Sequence, residues 1–133
     1  MNSQPEERSI TFDDPRRVRL REICQELPEV TIRDGQHITF QVRNRTFAYY
    51  LDNHHGDGRV AVTCKTWPGE NTALVDRDPV RYFIPAYLGP RGWVGLRLDL
   101  PDMDWDEVDD LVHESYQLIA PKRLASQVQQ SST

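Results

Sequence analysis

Apolar residues recur along this chain in two rhythms, and the switches between them mark its elements. Asp14-Pro15 sets a helix start, with Asp as the N-cap and Pro at the first helical position. Leu20, Ile23, Cys24 and Leu27 then fall at i, i+3, i+4 and i+7, one apolar stripe. Pro28 stops the helix, and Arg16, Arg17, Arg19 and Arg21 spread around its polar face. The rhythm then changes to two. Residues 37–43 place Ile38, Phe40 and Val42 on one side. Residues 46–51 place Phe47, Tyr49 and Leu51 inward, and residues 59–65 do the same with Val60, Val62 and Cys64. Asn44 tolerates the positive φ of a tight hairpin between the first two strands. A polar loop with two glycines, residues 52–58, joins the next pair. The pattern predicts an antiparallel meander with one buried and one open face.

Pro68-Gly69 breaks the sheet, and a short helix is expected over residues 70–75. Residues 81–84 and 93–98 read as two more strands, the second with Val94, Leu96 and Leu98 on its apolar side. The last helix starts at Asp104, where Asp104 and Glu107 form a capping-box pattern. Val108, Leu111, Val112, Ser115, Leu118 and Ile119 make its core stripe, and Pro121 ends it. Leu124 and Val128 hint at a final turn. The fold class is therefore α+β: helix, three-stranded antiparallel meander, short helix, two strands, C-terminal helix. A single domain is expected over residues 13–125, with a flexible N-terminus at 1–12 and a flexible tail at 126–133.

Composition narrows the function classes. The chain has 133 residues and a net charge of -5, from 16 basic and 21 acidic side chains. It has no run of 18 apolar residues, and Met1 to Glu7 hold no apolar stretch. Neither a membrane span nor a signal peptide is therefore expected, and the predicted location is the cytoplasm. Cys24 and Cys64 both fall on apolar faces, where free cysteine acts as a small hydrophobe. The charge is unevenly placed. Residues 101–119 carry seven acids and no Lys or Arg, so the other 114 residues sum to +2. Asp102, Asp104, Asp106 and Glu107 lie at the start of the last helix, where its dipole favours them. Asp106, Asp110 and Glu114 form a ladder on its outer face.

No motif points to catalysis. His54-His55-Gly56-Asp57 matches no zinc spacing, and adjacent histidines rarely chelate together. Ser115 has no nucleophile-elbow glycines, and neither a P-loop nor a dinucleotide fingerprint occurs. No enzyme, cofactor or metal is expected. The open face of the meander is the better candidate. It would carry Thr39, Gln41, Arg43, Arg45, Ala48, Tyr50, Arg59, Thr63 and Lys65, which is basic and free of acids.

Seven segments in order resemble the MmcQ/YjbR family: REICQELPE at 21–29, ITFQV at 38–42, TFA at 46–48, CKTWPGE at 64–70, PAY at 85–87, GWV at 92–94, and SY at 115–116 through APKRL at 120–124. The resemblance implies a fold like that of secretion chaperones and a DNA-binding role in which hairpins serve as wings. This sequence has Asn44-Arg45 where such proteins usually have Gly followed by Lys, so the charge is kept. Double-stranded DNA is then the expected partner. Arg43, Arg45, Arg59, Lys65, Lys122 and Arg123 would contact phosphate, and Tyr50 or Trp67 would stack or wedge. The alternative is a protein- or peptide-binding module using the sheet or the acidic helix. The two differ on one structural point, which side of the molecule that helix faces.

Overall fold

A computed structural model describes residues 14–128. The segments expected to be flexible at 1–12 and beyond 128 lie outside the described residues. The first helix, α1 (Pro15–Gln25), opens as its sequence dictates, with the Asp14 carboxylate accepting the Arg16 N–H at 2.9 Å. The strands follow as β1 (Val30–Arg33), β2 (Ile38–Val42), β3 (Arg45–Asp52) and β4 (Val60–Lys65). Then come α2 (Glu70–Arg77), β5 (Tyr82–Phe83), β6 (Trp93–Arg97), α3 (Trp105–Ile119) and a last turn of helix, α4 (Lys122–Ala125). All six strands pair antiparallel in one sheet, in the order β1-β2-β3-β4-β6-β5. Among the described residues no helix is long and apolar enough to cross a membrane.

The fold is α+β, and most elements fall where the pattern put them. Four features differ, the last a β-bulge. First, β1 adds a fourth strand to the meander. It is a four-residue edge strand with only Val30 and Ile32 half-buried, too short for an alternation signal. Second, the expected polar face of α1 is not free. Arg17 is 2% exposed and donates to the carbonyls of Gly35 and Gln36 and to Asp34. Arg16 pairs with Asp14, Arg21 with Asp34, and Arg19 lies over the Trp105 ring. Arg17 and Arg21 therefore hold the β1–β2 turn, Arg16 the helix cap and Arg19 the α3 side, with Arg17 alone of the four fully buried. Third, the chain is packed beyond residue 125. Val128 is buried, and its carbonyl accepts from the Gln117 amide at 2.6 Å.

A β-bulge on β3 has the largest effect. Phe40 pairs with Ala48 but Gln41 pairs with Thr46, so Phe47 has no partner opposite it. One extra residue reverses the alternation after it. Phe47, Ala48 and Tyr50 all face the helices and are buried, while Tyr49 and Leu51 turn to the outer face. This reverses the expected placement of Ala48, Tyr49, Tyr50 and Leu51. The bulge is anchored by α3. The Ser115 hydroxyl donates to the Phe47 carbonyl at 2.6 Å and accepts the Lys65 N–H at 3.0 Å. The Phe47 ring meets Tyr116 edge-on at 5.3 Å, and the Tyr116 hydroxyl reaches back to the Pro28 carbonyl at 2.6 Å. The core then fills between α1 and α3 on one side and the inner sheet face on the other, around Leu20, Phe40, Val62, Val94 and Val112.

Replacing Ser115 with Ala leaves a buried carbonyl and a buried N–H unpaired. Each costs about 1–3 kcal/mol, so Ser115→Ala is expected to lose roughly 2–4 kcal/mol in urea unfolding. The conservative Ser115→Thr would lose less if its hydroxyl keeps both bonds. A loss below about 0.5 kcal/mol in Ser115→Ala would show that the hydroxyl does not hold the bulge.

Candidate nucleic-acid interface

The residues expected to contact DNA divide into three groups. The first cannot serve. Tyr50 is 1% exposed, faces the helices and stacks against the Arg17 guanidinium at 5.4 Å. The bulge put it there, and burial pushes its phenol up to about 12. Arg43 sits at the tip of the β2–β3 hairpin with Asn44, both at positive φ as a two-residue type I′ turn requires. Its guanidinium forks onto Glu29, with Nε to Oε1 at 2.6 Å and Nη2 to Oε2 at 3.2 Å. That bond draws the Glu29 carboxyl below its usual range. Arg43 therefore adds little net field.

The second group converges. Arg45 and Lys65 line one groove at the hairpin end of the sheet, with Tyr49, Trp93, Arg91 and, from the end of α3, Ile119. Lys65 is opposite Trp93 in the β4–β6 register, and its ammonium donates to the Arg91 carbonyl at 2.7 Å. Arg45 donates to the Ile119 carbonyl at 3.3 Å, so a cation sits on the C-terminal end of the α3 dipole. Trp67 is 59% exposed and lines an adjoining hollow with Lys65 and Arg91. Lys122 and Arg123 are exposed on α4, directly after α3 ends. Arg123 adds to the positive field that, after Arg43, favours the charged form of Glu29.

Arg91 is the member that sequence reasoning missed. It lies in an irregular stretch with no periodicity, and tertiary bonds bring it to Lys65. Asn71 on α2 is buried and donates to the carbonyls of Gly89 and Trp93 at 3.0 and 3.1 Å. The Thr66 hydroxyl and N–H both donate to the Gly92 carbonyl at 2.8 Å. Gly92 holds φ +88°, and a Cβ there would press the Thr66 carbonyl at 3.3 Å. The third group is Arg59, which lies at the other end of the outer face, stacked on Phe83 at 4.6 Å.

The acidic helix keeps its acids away from the groove. α3 packs on the inner face of the sheet and reaches the groove with its C-terminal residue, Ile119. Its first acids cluster at the β5 end, where Glu107 accepts from Tyr82 and Arg81 and Asp102 pairs with Arg81 at 2.9 Å. Fifteen helical residues span about 22 Å, well beyond the ~8 Å screening length in physiological salt. Glu114, the acid nearest the basic end, is not on the outer face as its spacing predicted. It is half-buried against Glu70, and burial with that neighbouring carboxyl pushes it up to about 7.

The family model for YjbR matches residues 25–118. The chain belongs to the YjbR family. No curated protein matches it. Among solved structures it is similar to the Deinococcus radiodurans protein DR2400, a chain with a DUF419 domain, at 22% identity and a TM-score of 0.64. That likeness covers 81% of this chain and 83% of the other, and it shows a shared fold. The family match spans the hairpin, the Arg91 segment and nearly all of α3. It ends before Lys122 and Arg123.

The raised Glu114 carboxyl gives this end of the YjbR protein a pH signature. A carboxyl whose folded pKa of about 7 exceeds its unfolded value binds an extra proton on folding. Its stabilising effect is full below about pH 4.5 and is lost as pH rises through 7. Glu114→Gln removes that loss. Relative to the parent, the variant is expected to gain roughly 1–2 kcal/mol between pH 5 and pH 8 after allowance for solvent screening. Parallel urea titrations at the two pH values check it. An unchanged difference would show that burial beside Glu70 does not raise the Glu114 carboxyl.

Proposed function

We propose that this YjbR-family protein binds double-stranded DNA without catalysis, through the hairpin end of its sheet. One observation carries the reading. Arg45, Lys65 and Arg91 meet in a single groove with no carboxylate paired to any of them among the described residues. Lys122 and Arg123 extend the positive surface past the end of α3, and exposed Trp67 stands at its side. A duplex backbone follows such a cluster through phosphate contacts, which fix position and orientation. The net charge of -5 does not oppose this, because the acids that produce it lie behind the sheet and toward its other end. In the proposed complex Arg43 is a supporting residue that shapes the turn. The expected contacts at Tyr50 and Arg59 drop out.

The test is anisotropy of a labelled duplex against salt. With about four or five cations engaged, log K is expected to fall against log salt with a slope near -4. Affinity then drops by a factor of a few hundred between about 50 and 200 mM salt. Arg45→Ala and Arg91→Ala are each expected to weaken binding and shallow the slope by about one. Arg43→Ala is expected to change the slope far less, because Glu29 already neutralises it. Absence of binding at about 50 mM salt, a permissive condition, overturns the proposal.

A further inference from the structure

The other end of the outer sheet face carries a different feature. Residues 84–88 stand off the sheet and leave a cleft of about 630 Å³ between themselves, β3 and the β3–β4 loop. Its floor is one row of paired residues: Tyr49 opposite Thr63, Thr63 opposite Gly95, Gly95 opposite Phe83. Gly95 is needed there. A Cβ at that position would be 2.2 Å from the Phe83 ring, so only glycine lets the ring lie against the strand. Leu51, Ile84 and Leu88 complete apolar walls.

Three observations mark this cleft as a binding site. The Thr63 side chain is fully buried in the floor, yet its hydroxyl has no hydrogen-bond partner. A buried, unpaired hydroxyl costs about 1–3 kcal/mol unless something bonds to it. Arg59 at the rim lies flat on Phe83 with no carboxylate paired to it among the described residues. Large apolar surface remains open at the mouth, where Ile84 is 42% and Tyr87 87% exposed. Tyr87 also holds φ +68°, a conformation that a bulky residue rarely keeps without cause.

The rim fixes the charge that the cleft accepts. Arg59 is its one permanent cation, and Asp57 stands two residues away with its carboxylate on the Arg59 N–H at 2.9 Å. Three histidines share the rim. His37 and His54 meet edge-on at 5.2 Å, and His54 and His55 lie 3.9 Å apart. Nδ1 of His37 accepts the Asp52 N–H at 3.1 Å, which leaves its proton on Nε2. Burial and mutual repulsion hold His37 and His54 below the usual histidine range. Among the described residues no group of His, Cys, Asp and Glu converges to hold a metal. Arg59 and Asp57 cancel in net charge, but Asp57 is engaged by a backbone N–H and no carboxylate is paired to the Arg59 guanidinium among the described residues. One guanidinium over aromatic walls therefore fits a planar monocarboxylate better than a phosphate dianion.

We propose that this cleft binds a small aromatic carboxylate, with its carboxylate on Arg59, its ring against Phe83, and a polar ring substituent bonded to the Thr63 hydroxyl. The cleft adjoins the proposed DNA surface, sharing Tyr49 and Leu88 with its groove, but the inference does not rest on that reading. The probes are 4-hydroxybenzoate and the larger 6-hydroxy-2-naphthoate, each beside its neutral carboxamide, titrated into the full ¹⁵N-labelled chain by NMR. At least one acid is expected to shift the amides of Arg59, Thr63 and Phe83 saturably, with a Kd of about 1 mM or tighter. Its carboxamide should bind about tenfold more weakly. Arg59→Gln and Thr63→Val are each expected to weaken the acid roughly five- to tenfold while keeping a native spectrum. Thr63→Val should also leave the melting temperature unchanged or higher, because the hydroxyl it removes is unpaired. No saturable shift with either acid up to about 10 mM overturns the proposal. So does equal affinity for acid and carboxamide, or saturable shifts confined to Arg45, Lys65 and Arg91.

Discussion

The Ser115 hydroxyl joins three elements at the one place where the sheet's own bonding fails. Beyond Ala48 and Cys64 the β3–β4 ladder stops, because the bulge has moved Phe47 out of register. A carbonyl on β3 and an N–H on β4 are left inside the protein, and a buried polar group must find a partner. One side chain from α3 satisfies both. This fixes the height and rotation of α3 on the sheet. It also decides which β3 residues face the core and which face outward. Both surfaces discussed above follow from that choice. Tyr49 turns out to line the groove and the cleft, and Tyr50 turns in to pack on Arg17.

Charge in this protein is organised by direction more than by amount. α3 carries its acids at its N-terminal end and on faces that meet α2, β5 and their arginines. Its C-terminal end receives Arg45 and is followed by Lys122 and Arg123. The helix dipole favours both placements, acids at the start and cations at the end. Two arginines of α1, Arg17 and Arg21, which sequence spacing spreads over a solvated face, are drawn in as supports for the β1–β2 turn. The outer sheet face thus keeps two separate polar regions. One is basic, at the hairpin. The other holds Arg59 and three histidines around an apolar cleft.

Local rules were legible in the residues. The Asp14 and Asp104 caps, the α1 and α3 stripes, the alternation of β2 and β4, and the turn at Asn44 all rest on neighbours within one or two turns of chain. The burial of Cys24 and Cys64 was equally visible, and burial raises both thiols far from reactivity. The site was only half legible. Lys65 could be placed by strand parity, whereas Arg45 and Trp67 stood out only beside well-marked turns, and the register sets Arg45 opposite Val42, toward the end of α3. Arg91 could not be placed, because Asn71 and Thr66 position it across 18 to 26 residues. His54 and His55 read as an ordinary loop because their third partner, His37, lies on the approach to β2.

The sequence by itself determined that this is an α+β chain with its apolar stripes where they stand, a YjbR-like order of segments, and an acidic last helix. Periodicity, capping and turn chemistry are local, so they survive without knowledge of the fold. Tertiary structure alone decided which way α3 faces, which half of β3 is inside, and which arginines remain unpaired. Those outcomes hang on one unpaired residue at Phe47 and on side chains that find partners far along the chain. A one-residue shift in a strand reverses every side chain beyond it, and nothing local announces it.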